Sequence, residues 1–82
     1  MIFTHQTELT CKEVENNIEE EAKEIGLMLK KHFPFSQNLP EAGFEINEHA
    51  SVFEFCKPSV AANLLNTQPE LNVLMPCRIS VF

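Results

Sequence analysis

Two prolines divide the last third of the chain into short segments and limit what this part can fold into. The apolar run Ala50–Cys56 ends just before Pro58, and the run Cys77–Phe82 begins just after Pro76. Proline has no backbone N–H to donate to a sheet, so neither strand continues through it, whereas Pro58 suits the first turn of a helix. Between the two runs, Ser59–Asn66 carries apolar residues at helical spacing. The pattern predicts a strand, a helix and a strand.

The first part of the chain predicts the same order of elements: a strand, a helix and a strand. Ile2–Leu9 alternates between two faces, which is typical of a strand. Thr10 and Glu13 have the spacing of a capping box, in which each side chain bonds the other's backbone N–H at the start of a helix. Gly26 follows this helix where a left-handed residue is favoured, and Leu27–Phe33 predicts the next strand.

The predicted helix after Thr10 has one apolar and one acidic side. Its apolar stripe recurs at steps of three and four residues and consists of Cys11, Val14, Ile18, Ala22 and Ile25. The glutamates are predicted to fill the opposite, solvated side: Glu13, Glu15, Glu19, Glu20, Glu21 and Glu24.

The remaining segments complete a single domain over residues 1–82. Ser36–Gly43 predicts one or two helical turns, and Leu71–Met75 is predicted to be extended. In the strand Ala50–Cys56, alternation places one set of side chains on one face (Val52, Glu54 and Cys56) and the other set on the opposite face (Phe53 and Phe55). The order is β-α-β-(α)-β-α-β, which indicates an α+β fold with one antiparallel sheet and helices packed on one face.

Composition and charge exclude several classes of partner. Hydrophobic residues make up 44% of the 82 residues, which indicates a folded chain, and the formal net charge is −6. A nucleic-acid or anionic-membrane surface requires a basic patch, so we expect neither partner. No apolar stretch approaches the ~20 residues that span a bilayer, and the start lacks the features of a signal peptide, so we expect a cytoplasmic protein. Three cysteines in that compartment argue against a disulfide framework.

Four motifs in the second half form a series: a cysteine-x-proline that closes a strand, a helix with alanines and leucines, a turn with proline and an acidic residue, and a Pro-Cys-Arg-Ile strand start. Here they are Phe53–Pro58, Ala61–Leu65, Gln68–Glu70 and Leu74–Val81. This series resembles the domain of unknown function 302 family of small bacterial proteins. The resemblance implies a TATA-binding-protein-like α+β fold without the DNA function, and a homodimer. It implies no established activity, and any cofactor is unknown.

The chain departs from the family pattern at two places. Lys57 stands where the family usually has Asn. The family also continues past this last strand with a turn and another strand, whereas this chain stops at Phe82. Cys77–Phe82 could therefore be left at an exposed edge of the sheet. Either the domain is truncated at its C-terminal end, or a partner chain covers that edge.

Cys56 and Cys77 are the leading candidates for chemistry. Each lies at a strand end close to a proline. If the two strands are neighbours, the sulfurs could hold a metal, form a reversible disulfide or carry a sulfane sulfur. The alternative is that both are small buried hydrophobic residues, a common role of free cysteine. Cys11, on the apolar stripe, is predicted to be a core residue.

Charged residues near these cysteines give further candidates. Glu54 shares a face with Cys56 and could act as a base or a ligand, but a salt bridge to Arg78 on an adjacent strand is the interpretation we favour. Arg78 and Lys57 could together bind a small anion. The three histidines (His5, His32 and His49) are scattered along the chain and could join a cysteine site only if the fold gathers them.

The sequence thus supports two leading hypotheses. The first is a small dimeric module that binds a small ligand or a protein partner. The second is a thiol-based protein that handles sulfur, redox equivalents or a metal through Cys56 and Cys77. A third is an enzyme domain that works with a partner or with a missing C-terminal segment, and it has no support from a Gly-rich loop, a nucleophile elbow or paired catalytic acids.

Overall fold

A computed structural model describes residues 2–82 of the chain, which form an α+β fold with three α-helices and a three-stranded antiparallel sheet. In chain order the elements are α1 (Cys11–Glu24), β1 (Met28–Phe33), α2 (Phe35–Glu41), β2 (Ser51–Cys56), α3 (Pro58–Thr67) and β3 (Cys77–Val81), with a 3₁₀ helix over Pro69–Leu74 between α3 and β3. The strands lie in the order β1-β2-β3. The predicted fold class is confirmed.

Helix α1 begins and ends where the sequence predicts. The backbone N–H of Glu13 donates to the Thr10 hydroxyl at 3.1 Å, and the Glu13 carboxylate accepts from the Thr10 N–H at 3.3 Å. This reciprocal pair satisfies two donors that a helix start otherwise leaves unpaired. Beyond the other end, Gly26 has φ +82°, a conformation that residues with a side chain rarely adopt.

The core lies between α1 and one face of the sheet. Phe55 is opposite Leu29 of β1 and Cys77 of β3, and it is completely buried. The buried apolar residues are Ala22, Phe53, Phe55 and Val81, and Cys11, Val14, Ile18, Leu27 and Leu29 pack against them. The predicted alternation of β2 and the core role of Cys11 are therefore confirmed.

The predicted strand Ile2–Leu9 is wrong. These residues are exposed and form no regular element, and His5, expected on a sheet, lies among them. Alternation supplies two faces, but a strand also needs a neighbour for its backbone groups. In the described part of the chain no backbone hydrogen bond joins this segment to β3, because a groove separates the two.

The extended segment predicted over Leu71–Met75 is also wrong. The N–H of Leu71 donates to Gln68 O at 3.0 Å and that of Met75 to Asn72 O at 3.1 Å, the spacing of a 3₁₀ helix. Pro69 begins this helix, and its fixed φ is compatible with a helical turn.

Within residues 2–82, strand β3 pairs with β2 alone. Ile79 in its centre is 40% exposed. Among the helices within residues 2–82, none is long and apolar enough to cross a membrane.

Candidate functional site

A polar cleft of about 630 Å³ opens where α1 meets β1, β2 and the start of α2. Its inner part contains Glu15, His49 and Ser51, and His32 lies on its β1 side. The other polar residues that line it are Lys12, Asn16, Glu19, Ser36 and Gln37. The cleft therefore concentrates polar side chains directly beside the apolar core.

Glu15 is the centre of this polar group. The Ser51 hydroxyl donates to Glu15 Oε2, and His49 Nε2 lies 3.1 Å from Glu15 Oε1. Ser51 is only 1% exposed and the Glu15 side chain 19%, so their contact is largely shielded from water. His49 Nε2 is itself buried and is not aligned for a hydrogen bond, so its contact with Glu15 is an ion pair when the imidazole is protonated.

The environment of Glu15 lowers its pKa. Burial alone raises it, but the Ser51 hydroxyl, the His49 imidazole and the positive potential of His49 and His32 together outweigh burial. The net effect keeps the carboxylate ionised at neutral pH. The cleft therefore contains a half-buried negative charge at neutral pH.

His32 supplies a flat ring at the edge of the cleft. It lies opposite Phe53 in the β1–β2 register, and the two rings stack with centroids 4.2 Å apart and planes 11° from parallel. Because Phe53 is buried in the core, it fixes the plane of the more exposed His32 ring.

Ser51, His49 and Glu15 are residue types of a catalytic triad, but their order is different. In a triad the histidine lies between the hydroxyl and the carboxylate, so that it can take the hydroxyl proton. Here the hydroxyl donates directly to the carboxylate, and the imidazole contacts that same carboxylate. This arrangement does not activate Ser51 as a nucleophile.

Metal ligands are not gathered in the described residues. No group of three His, Cys, Asp or Glu side chains within residues 2–82 is placed to hold an ion. His32 and His49 line the polar cleft, whereas His5 lines the groove beside β3.

The sheet register separates Cys56 from Cys77. Cys77 lies opposite Phe55, so it shares the face of the sheet that packs on α1. Cys56 is the next residue after Phe55 and lies opposite Met28, so its side chain projects to the other face. All three cysteines are free thiols: Cys77 is exposed, and Cys11 and Cys56 are half-buried. A shared metal or a disulfide between Cys56 and Cys77 has no support in this register.

Mild oxidation is expected to form no disulfide between Cys56 and Cys77 within one chain, because the sheet lies between the two sulfurs. The intact mass of dilute protein should show no loss of two protons, and a thiol reagent should modify exposed Cys77 before Cys11 and Cys56. As a control, all three thiols should react together in urea. A two-proton loss that peptide mapping assigns to Cys56 and Cys77 would restore the thiol hypothesis.

The remaining predicted site residues form a structural pair and a helix start. Arg78 lies opposite Glu54, and its Nε donates to Glu54 Oε2 at 2.7 Å, which confirms the predicted salt bridge. Lys57 is exposed at the N-cap of α3. Because Arg78 Nε is already bound to Glu54, the small-anion hypothesis for Arg78 and Lys57 gains no support from these contacts.

Glu15 is the cleft residue that the sequence interpretation missed. It was assigned to the solvated side of α1, but it faces the sheet. Its position relative to the apolar stripe gives the signal: it follows Cys11 by four residues and precedes Ile18 by three, so it lies on the same side of the helix. A polar residue on an apolar stripe indicates a buried polar contact.

The fold and the cleft define the class of protein: a small α+β domain with a three-stranded antiparallel sheet, α1 packed on one face and a polar cleft beside the core. The chain belongs to the family described as domain of unknown function DUF302, whose model matches residues 3–82. No curated protein matches the chain.

A solved structure has the same fold. It is described as the crystal structure of an uncharacterized conserved protein DUF302 from Bacillus stearothermophilus, and it superposes with a TM-score of 0.79 at 25% sequence identity. The match covers 88% of this chain and 56% of that chain. The chain therefore spans a little more than half of the length of this relative.

Proposed function

We propose that this domain is a non-catalytic binding module that takes a small, flat, cationic ligand in the polar cleft and works as a homodimer. The observation that carries the proposal is the ionised, shielded carboxylate of Glu15 beside the fixed ring of His32 in one cleft. Clefts that combine apolar walls with a few polar groups are the usual sites for small ligands.

The charges in the cleft favour a cation when the imidazoles of His32 and His49 are neutral. Two carboxylates, Glu15 and Glu19, line the cleft, and Lys12 is its only ammonium group in the described part of the chain. The protein as a whole carries a net charge of −6, which attracts cations from solution. The exposed His32 ring offers a stacking surface to a planar group such as an amidinium, a guanidinium or an aromatic amine.

Surface area supports the homodimer. The chain exposes 6757 Å², whereas a folded monomer of this size exposes about 5,000 Å². The excess of roughly 1,700 Å² is more than the ~800 Å² that one partner buries in a standard interface. Size-exclusion chromatography with light scattering tests this part of the proposal, which requires twice the monomer mass.

Benzamidine, a flat aromatic cation, is expected to bind in the cleft, while benzoate, which has the same shape and opposite charge, is not. Titration of each into ¹⁵N-labelled protein should move the amide signals of cleft residues only with benzamidine. Glu15→Gln should weaken benzamidine binding about tenfold or more, because a hydrogen bond to a charged group contributes about 1.5–3 kcal/mol.

The matched control is Glu20→Gln, which removes a carboxylate from an exposed position on α1 outside the cleft and should leave binding unchanged. Binding of benzoate in place of benzamidine would show that the ligand is an anion and that the charge argument is wrong. If neither compound moves the cleft signals, the cleft is not a binding site for this class of ligand.

A further inference from the structure

The polar cleft contains two imidazoles, and their protonation sets the sign of its charge. Its described lining holds one ammonium group (Lys12), two carboxylates (Glu15 and Glu19) and two imidazoles (His32 and His49). With both imidazoles neutral the lining carries one net negative charge, and with both protonated it carries one net positive charge. Histidine is the side chain that ordinarily changes charge between about pH 5 and pH 8. Acidification within this range therefore reverses the charge of the cleft.

His49 faces the oxygen of Glu15 that Ser51 leaves open. The Ser51 hydroxyl donates to Glu15 Oε2, whereas His49 Nε2 lies 3.1 Å from Oε1. His49 Nε2 is buried and makes no hydrogen bond within residues 2–82. A neutral imidazole brings no charge to Oε1 and leaves this oxygen to a ligand, whereas a protonated imidazole pairs with it. A cationic ligand and protonated His49 therefore compete for the same atom.

The backbone beside His49 is anchored on both sides of the cleft. The N–H of Ala50 donates to Ser36 Oγ at 2.6 Å, and Ala50 O accepts from the Ser36 N–H at 3.0 Å and from its hydroxyl at 3.1 Å. The following residue, Ser51, begins β2 and donates to Glu15. These contacts hold the imidazole next to Glu15, so a change in its charge acts directly on that carboxylate.

We propose that His49 is a pH-sensitive competitor that releases the cationic ligand from the cleft when the imidazole gains a proton. The proposal rests on the proposed function, because it assigns a regulator to the same site. An imidazolium about 3 Å from a carboxylate that is largely shielded from water interacts with it more strongly than in bulk solvent. The proton on His49 therefore opposes a second cation at Glu15.

The other charged groups around His49 either keep their charge or change in the same direction. Carboxylates and ammonium groups ordinarily keep their charge between about pH 5.5 and pH 8, whereas a second imidazole adds positive charge on acidification. On α1 these groups are Lys12 and Glu19, on β1 the group is His32, and Glu48 lies next to His49 in the chain, while the α2 residues that line the cleft, Ser36 and Gln37, are uncharged.

Benzamidine titrations at about pH 8 and about pH 5.5 test the switch, because benzamidine stays protonated over this range. We expect at least about tenfold weaker binding at the lower pH. His49→Gln removes the titrating group and should lose most of this pH dependence. His32→Phe keeps a flat ring without a charge and should retain it. The control is His5→Gln, which removes an exposed imidazole outside the cleft and should behave as the natural sequence does.

A second measurement needs no ligand. The pKa of Glu15 lies below its usual value of about 4.5, so this carboxylate stays ionised between about pH 8 and pH 5.5. Its ¹³C carboxylate signal should nevertheless move over this range in step with the His49 ring signals, because it reports the charge of its neighbour. His49→Gln should abolish most of this movement.

The possible failures are distinguishable. Equal benzamidine affinity at both pH values would overturn the switch and leave the proposed function intact, and loss of the pH dependence in His32→Phe instead of His49→Gln would assign the switch to the wrong imidazole. No binding at either pH would overturn the proposed function and the switch with it. A Glu15 signal that stays in place while the His49 signals move would contradict their pairing, whether or not benzamidine binds.

Discussion

Replacing Phe55 by alanine is expected to leave most of the chain unfolded at 25 °C. Phe55 is completely buried at the centre of the sheet, opposite Leu29 on one side and Cys77 on the other. Truncation of a buried phenylalanine costs about 3–5 kcal/mol through lost burial and the cavity that remains. A domain of this size has a free energy of unfolding of about 3–5 kcal/mol, so the cost of this one substitution is comparable to the total stability.

Far-ultraviolet circular dichroism during urea unfolding measures this effect. Phe44→Ala is the matched control, because Phe44 is 66% exposed and its truncation should shift the midpoint little. If Phe55→Ala unfolds at the same urea concentration as the natural sequence, the core is not where the sheet register places it. Because both variants replace phenylalanine by alanine, a difference between them reports on the burial of Phe55 and not on the type of residue removed.

The sequence predicts those parts of the fold that depend on neighbours along the chain. The Thr10–Glu13 capping box, Gly26 after α1 and Pro58 at the start of α3 act within a few residues, and each is found where it was predicted. The alternation of β2 is equally local, and a buried face imposes it over Ser51–Cys56.

The segment Ile2–Leu9 shows where local reasoning fails. Its alternation is as regular as that of β2, but alternation only allows a strand, and a pairing partner makes one. Here β3 lies across a groove of about 580 Å³ from this segment. The distance between two segments that are 70 residues apart in sequence is a property of the whole fold, which no local pattern contains.

The polar cleft was partly predictable. The spacing of Glu15 from Cys11 and Ile18 places it on the buried side of α1, and this signal was available in the sequence. Its partner was not, because Ser51 lies 36 residues away and meets Glu15 only when α1 packs on β2. Likewise, the prolines near Cys56 and Cys77 in the sequence suggest that the two cysteines form a pair. Only the strand register shows that their side chains project to opposite faces of the sheet.

Removing the Glu15 carboxylate is the second substitution for which we expect a large effect. Glu15→Ala leaves the Ser51 hydroxyl buried without its acceptor, which costs about 1–3 kcal/mol at neutral pH. Glu15→Gln keeps an acceptor oxygen but removes the charge, so it should cost less. Urea unfolding of the three proteins at pH 7 measures both differences.

At acid pH, the glutamate at position 15 should no longer make the folded protein more stable than glutamine does. The folded protein holds the pKa of Glu15 below its usual value of about 4.5. The carboxylate therefore binds a proton more weakly in the folded protein than in the unfolded chain. Its stabilising contribution is therefore complete above that usual value and is lost as pH falls through the lower folded pKa. The stability difference between the natural sequence and Glu15→Gln should shrink over this acid range.

Glu20→Gln is the control for this pH effect, because Glu20 is an exposed carboxylate on the same helix and should track the natural sequence at every pH. If the curves for the natural sequence and Glu15→Gln stay parallel down to the acid limit, Glu15 is not held as an ionised group by Ser51 and His49. A carboxylate with its usual pKa of about 4.5 is nevertheless ionised at neutral pH, so the proposed cationic ligand is tested separately, by the benzamidine titration.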